Sequence, residues 1–189
     1  MNHIIDFTQS FDDVTESKIF FGKYDGIQRY DRSRYSIADK LKEIQRAQIW
    51  FPTEINFSKD KVSLQTVLSE EHQTIYRENL LFQTMADSLA NRFLDNVLSE
   101  NVTSPDWEAV FKIQAFFELL HSEAYSYNIR QVYNDPEKLF NEGFKNPEIR
   151  KRLDLELESY SNLQKVLNDK DASLEDKKKA MLEELLHQY

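Results

Sequence analysis

The segment of residues 111–130 constrains the fold most, because its polar side chains follow the period of an α-helix. At about 100° per residue, one arc of such a helix carries Gln114, Glu118, His121, Tyr125 and Asn128. A narrow strip roughly opposite carries Lys112, Glu123 and Arg130. Since the positions between are mostly apolar, the charged strip is the natural solvent side, and Glu118 and His121 are predicted to point inward.

Glu118 and His121 also have the spacing of a metal half-site. A carboxylate and an imidazole three residues apart share one helix face, and bundle proteins build dimetal centres from such pairs. Asp87 lies upstream on a second apolar stripe, and a buried carboxylate needs a cation, a metal or a proton. Each of these side chains could equally be an ordinary core polar group paired with an arginine or a backbone donor. The residues alone therefore leave both a metal site and a set of satisfied core groups open.

The rest of the chain also favours helices. Its 189 residues are the size of one domain, and three Gly and four Pro with 13 Phe and nine Tyr favour long helices and aromatic packing. We predict an all-α fold with an irregular N-terminal arm over residues 1–35 and a helical half-domain over residues 36–189.

Cap patterns set the expected helix ends. The first helix is predicted to start near Ser36, within a capping pattern, and to end before Trp50. The second is predicted from Ser69 to about Leu98, and the third from Pro105 to about Val132. Further helices are predicted over residues 136–143, 146–168 and 174–189, the last after a capping box at Ser173.

Several functional classes are excluded by composition. A formal net charge of −9 disfavours nucleic acid and anionic membranes as partners. The absence of cysteine excludes disulfides, Fe–S clusters and thiol catalysis within this chain. The N-terminus does not resemble a signal peptide, and no apolar run is long enough to span a bilayer. A cytoplasmic location is therefore expected.

The Glu-x-x-His spacing recurs near the C-terminus, at Glu184 and His187. There the apolar arc is predicted to carry Met181, Leu182, Leu185, Leu186 and Tyr189. Glu184 and His187 would then lie on the solvent side, and we expect a solvated pair with no metal.

Taken together, these motifs resemble the small subunit of class I ribonucleotide reductase, the radical-generating chain of that enzyme. The resemblance covers most of residues 20–145. It rests on Phe20-Phe21-Gly22, Trp50-Phe51-Pro52, Asn79 to Ser88, Glu118-Leu119-Leu120-His121 with Tyr125, and Ile129 to Pro136. An Asp as the first ligand and a Tyr one turn after the His separate this family from the ferritins. The resemblance implies a ferritin-like helical bundle.

It also implies roles for individual residues. Asp87, Glu118 and His121 would ligate one metal, with Glu118 bridging to a second, in a dinuclear iron or manganese site. Tyr125 would be the residue oxidised to a tyrosyl radical. Trp50 would relay an electron between the site and the surface, besides anchoring a helix end.

The resemblance is incomplete, because a full site needs a further Glu and a second Glu-x-x-His, which the family supplies in its C-terminal half. No such inward-facing set is found after residue 145. We therefore expect an incomplete bundle, either one product of a split gene such as phages carry or a truncated sequence. The implied partners are the complementary C-terminal half, a second small subunit in a homodimer, and the catalytic large subunit. The cytoplasm in which the protein is expected could be that of a phage-infected host cell.

Two other interpretations stay open. The chain could be another dimetal carboxylate protein, such as an oxygenase or a ferroxidase. It could also be a catalytically inert helical fragment that only binds a partner. The sequence does not distinguish iron from manganese, or diphosphate from triphosphate substrates.

Overall fold

The computed structural model describes residues 12–187, and this part of the chain is helical with no β-strand. Seven α-helices succeed one another: α1 Ser36–Ala47, α2 Ser58–Thr66, α3 Glu70–Phe93, α4 Pro105–Val132, α5 Pro136–Gly143, α6 Pro147–Asn168 and α7 Leu174–His187. A π-helical turn, Leu94–Leu98, and a 3-10 turn, Ser99–Asn101, come directly after α3. The predicted all-α fold is confirmed. Among residues 12–187, no helix combines the length and the hydropathy that a membrane span needs.

The described chain divides into two compact units. The first comprises the described residues up to Trp50 together with Ala90–Glu118. The second comprises Phe51–Leu89 together with the described residues from Leu119 onward. The divisions fall within the residue ranges of α3 and α4. The predicted boundary between residues 35 and 36 stays a prediction.

In the first unit, the segment before α1 is held against the chain that precedes α4. Phe20 and Val102 form an isolated antiparallel bridge. The Thr103 amide donates to the Ile19 carbonyl over 2.8 Å, and the Thr103 hydroxyl donates to the Lys18 carbonyl over 2.8 Å. Residues 12–35 contain no helix, yet these hydrogen bonds fix their path.

A buried ion pair reinforces this segment. Arg34 Nη1 lies 2.5 Å from Asp25 Oδ2, and Arg34 Nη2 donates to Asp25 Oδ1 over 3.1 Å. The two side chains are only 4% and 0% exposed, respectively. The Arg34 amide also donates to the carboxylate of Asp106, in the first turn of α4, over 3.2 Å. The pair therefore compensates two charges that burial removes from water.

The second unit is built around an apolar cluster between α3, α4 and α6. Its buried members are Leu80, Leu81, Met85, Ile129 and Ile149. At Gly143, the last residue of α5, an added Cβ would lie 3.2 Å from carbon atoms of Leu81 and Met85. Glycine thus permits the close approach of α5 to α3.

The helix boundaries agree with the cap patterns in most places. The Ser69 hydroxyl accepts from the His72 amide, and Ser173 and Asp176 exchange the two hydrogen bonds of a capping box. The capping role predicted for Ser36 is wrong, because Ser36 is the first helical residue and Asp39 instead lies 2.7 Å from Lys42 Nζ. The sequence interpretation also missed α2 and the 3-10 turn at Pro52–Glu54.

The face predicted for α7 is wrong. Met181 and Glu184 are buried at 2% and 3% exposure, whereas Leu182 and Leu186 are exposed. The Glu184 carboxylate accepts a hydrogen bond from the Ser159 hydroxyl on α6, the helix against which α7 packs. This donor offsets part of the penalty of burying the acid, so the expected solvated position of Glu184 is not found. The His187 side chain and residues 188–189 lie outside the described part of the chain.

Candidate metal centre

Two hydrogen bonds fix the register of α3 against α4 on either side of the candidate site. In the first unit, Asn91 Nδ2 donates to the Ala115 carbonyl over 2.6 Å. In the second unit, the Ser122 hydroxyl donates to the Thr84 carbonyl over 2.8 Å. Each bond joins a side chain of one helix to the backbone of the other, which leaves little freedom for the helices to slide.

The structure brings Asp87, Glu118 and His121 together. Glu118 and His121 lie one turn apart on α4, and His121 Nδ1 is 3.8 Å from Asp87 Oδ2 on α3. One ligand atom from each of the three residues lies within 4.8 Å of the other two. Two ligands of a small divalent ion with bonds of about 2.1 Å are about 3.0 Å apart when adjacent and about 4.2 Å apart when opposite. The three side chains therefore lie near enough to reach one ion once their flexible ends move inward by about an ångström.

The chemistry of the donor set also fits a metal. Two carboxylates and one imidazole suit iron or manganese, because hard oxygen donors and imidazole are ligands that these ions accept. The three residues are half-buried rather than enclosed in a core, with the His121 side chain 35% exposed and that of Asp87 22% exposed.

The inward orientation expected from the helical pattern is only partly found. The charged strip of Lys112, Glu123 and Arg130 is exposed, as predicted. Two apolar residues of α4, Phe116 and Leu119, are also exposed, by 38% and 52%. The described residues thus leave part of the apolar surface of α4 open to solvent.

A chain of amide side chains leads to Glu118 from within the first unit. Gln114 Nε2 donates to Glu118 Oε1 over 2.6 Å, and Gln45 Nε2 of α1 donates to Gln114 Oε1 over 3.2 Å. Gln114 lies on the predicted arc with Glu118, but Gln45 was missed. It comes from a different helix, 69 residues away in sequence, and no local pattern indicates such a contact.

Tyr125 lies one turn beyond His121 on α4, half-buried against the apolar cluster of the second unit. The cluster also contacts Tyr76 and Tyr133. Burial raises the pKa of both of these phenols, and Tyr76 donates to Asn128 Oδ1 over 2.8 Å. Tyr125 is thus placed in largely apolar, aromatic surroundings.

Trp50 is half-buried between the end of α1 and the 3-10 turn at Pro52. Its position at the end of a helix agrees with an anchoring role. The electron-relay role stays a prediction.

Comparison with protein families gives a match to the family described as "Ribonucleotide reductase, small chain" over residues 29–186. The chain is 34% identical over 146 residues to ribonucleoside-diphosphate reductase 1 subunit beta of Escherichia coli O157:H7, covering 77% of this chain and 39% of that protein. It is 32% identical over 140 residues to the subunit beta of Enterobacteria phage T4, covering 74% of this chain and 36% of that protein. The chain thus spans about two fifths of the length of these curated relatives.

Solved structures show the same fold. The ribonucleotide reductase R2 subunit from Clostridium botulinum superposes with a TM-score of 0.73 at 19% identity, covering 86% of this chain and 51% of that one. The dimanganese(II)-NrdF of Streptococcus sanguinis superposes with a TM-score of 0.65 at 23% identity, covering 74% of this chain and 51% of that one. At these identities the structures support the fold alone.

Proposed function

This chain belongs to the ribonucleotide reductase small-chain family, and we propose that it supplies half of a dimetal-carboxylate site and a radical tyrosine to the reduction of ribonucleotides to deoxyribonucleotides. The observation that carries the proposal is that ligand atoms of Asp87, Glu118 and His121 lie within 4.8 Å of one another, with Tyr125 one turn after His121 on α4. The family match favours this role over that of an unrelated oxygenase or ferroxidase.

Asp87, Glu118 and His121 would hold one metal, and Glu118 would bridge to the second. When bound, the dimetal centre would supply the oxidising power that it gains from molecular oxygen. Carboxylate and imidazole donors suit either iron or manganese, and one structural neighbour is by its title a dimanganese protein.

Tyr125 would be the group that is oxidised, because its phenol can lose one electron and one proton and remain as a neutral radical. Its apolar, half-buried surroundings support the role, since they limit contact of the radical with water and reductants. Trp50 would relay an electron between the surface and the site.

The proposal includes three partners: a polypeptide with the remaining metal ligands, a second small subunit and the catalytic large subunit. The exposed Phe116 and Leu119 on α4 support the first of these, because a further part of a helical bundle would cover them. The matched region is 39% of the E. coli relative, which therefore extends well beyond it. We place the protein in the cytoplasm, including that of a phage-infected cell, since a phage protein is among the relatives.

Metal stoichiometry tests the proposal. Three ligands cannot satisfy two ions that each take about four to six donors, so the isolated chain should hold at most one ion, and only weakly. Mixed with a polypeptide that supplies the C-terminal part of a small subunit, it should bind about two ions per reconstituted site. Elemental analysis after gel filtration measures both values. Two tightly held ions in the isolated chain would contradict the half-site, and no metal in the reconstituted complex would favour an inert fragment.

A Trp50→Phe variant tests the electron relay. In the reconstituted complex it should retain helicity and metal while radical formation or nucleotide reduction is impaired, because phenylalanine is much harder to oxidise than tryptophan. Circular dichroism, metal analysis and turnover per folded molecule measure the three quantities. A large fall in melting temperature with unchanged turnover per folded molecule would leave Trp50 with the anchoring role alone.

A further inference from the structure

We infer that Gln114 and Gln45 are positioning residues for Glu118. They order its side chain before a metal ion binds. The inference rests on the proposed metal site and concerns residues outside the ligand set. The three side chains form one hydrogen-bonded chain within the first unit, from α1 to the metal-facing arc of α4.

Hydrogen-bonding capacity fixes the direction of this chain. An ionised carboxylate is only an acceptor, so Gln114 must present its NH₂ group to Glu118. The amide oxygen of Gln114 is then the atom that faces away and accepts from Gln45 Nε2. The distances of 2.6 Å and 3.2 Å agree with this order, and the shorter bond is the one to the carboxylate.

The buried amide oxygen of Gln45 is energetically unfavourable, and this indicates a function for Gln45 beyond packing. Gln45 Oε1 is buried and has no hydrogen-bond partner among the described residues. A buried acceptor without a donor is unfavourable, and an apolar side chain of similar size would fill the same space without this penalty. Gln45 is therefore suited to donating to Gln114 rather than to packing alone.

The consequence for Glu118 is a reduced choice of rotamers. A glutamate side chain is flexible, and ordering it when a ligand binds opposes the binding. A hydrogen bond from Gln114 orders the carboxylate before the metal arrives. Residues that orient metal ligands in this way typically contribute about 10- to 100-fold to metal affinity.

The test is titration of the isolated chain and of the reconstituted complex with Co²⁺, monitored by the visible absorption of the bound ion. A Gln114→Met variant keeps the length of the side chain and removes both amide atoms. It should lower the Co²⁺ affinity by about 10- to 100-fold and alter the absorption bands, which respond to the placement of ligands. A Gln45→Met variant should act in the same direction with a smaller effect, because it removes only the outer hydrogen bond.

Gln73 provides a matched control, since it is also half-buried and donates to a carbonyl, that of Leu68, over 3.0 Å. It lies 14 residues before Asp87 on α3, about 21 Å away at 1.5 Å per residue. Gln73→Met should leave the Co²⁺ affinity and the absorption bands unchanged.

The outcomes separate the inference from the proposed function. If the wild-type protein binds Co²⁺ and Gln114→Met and Gln45→Met bind it equally well, the positioning role is overturned while the metal site stands. If the wild-type chain and complex both fail to bind Co²⁺, the proposed metal site and this inference fail together. Should Gln114→Met not fold, as judged by circular dichroism, Gln45→Met alone decides: lowered affinity supports the role and unchanged affinity overturns it.

Discussion

Replacing Tyr125 by phenylalanine should abolish the organic radical and nucleotide reduction in the reconstituted complex, with folding and metal stoichiometry nearly intact. The two side chains differ by one hydroxyl, so packing against the apolar cluster is conserved. That hydroxyl carries the proton that leaves when the phenol is oxidised, and a phenyl ring has no equivalent. Electron paramagnetic resonance after the reduced complex meets oxygen measures the radical.

The neighbouring tyrosines provide the controls. Tyr133→Phe, in the same cluster, and Tyr127→Phe, on a different face of α4, should retain the tyrosyl signal. If the signal persisted in Tyr125→Phe, then Tyr125 would be only a packed aromatic residue. The same experiment separates the proposed function from another dimetal oxygenase or a ferroxidase, in which no stable tyrosyl radical is expected.

The second large expected effect is a loss of stability when the buried ion pair between Arg34 and Asp25 is broken. Arg34→Met should lower the free energy of unfolding by about 3–5 kcal/mol, because it leaves the Asp25 carboxylate buried without its cation. Denaturant unfolding monitored by circular dichroism measures this change. In a chain of ordinary stability such a loss removes a large part of the total.

Two further variants make this prediction specific. Adding Asp25→Leu to Arg34→Met should recover most of the lost stability, because no uncompensated charge then remains buried. Arg29→Met removes an arginine from the same segment, but its ion pair with Asp31 is exposed, so water and salt already screen it. An effect of Arg29→Met as large as that of Arg34→Met would show that burial is not the cause.

Local patterns predicted much of the fold. The period of α4 and the serine, aspartate and proline residues at helix starts depend on neighbours within one or two turns, which the sequence displays directly. The same holds for the candidate ligands Glu118 and His121, whose relation is set by one helix. The convergence of Asp87 with them agrees with the resemblance, which pairs residues from two helices.

The features that the sequence could not predict depend on distant partners. Glu184 is buried against α6, where Ser159, 25 residues earlier, donates to it, and α7 exposes Leu182 and Leu186 instead. Gln45 reaches Gln114 only because α1 and α4 pack together in the folded unit. In each case a tertiary hydrogen bond overrides or adds to the amphipathic pattern of a single helix.

The π-helical turn at Leu94–Leu98 restricts where this chain can lose a residue. Such a turn accommodates one more residue than an α-helical turn, so it shifts the phase of the residues beyond it by about 100°. Val97 and Leu98, the last two residues of the turn, are buried, so their orientation depends on the extra residue that the turn accommodates. A deletion of one codon here would restore a regular helix yet turn both side chains away from their present contacts. Loss of one residue from this turn thus removes Val97 and Leu98 from their buried positions, while Asp87, which precedes it, keeps its place.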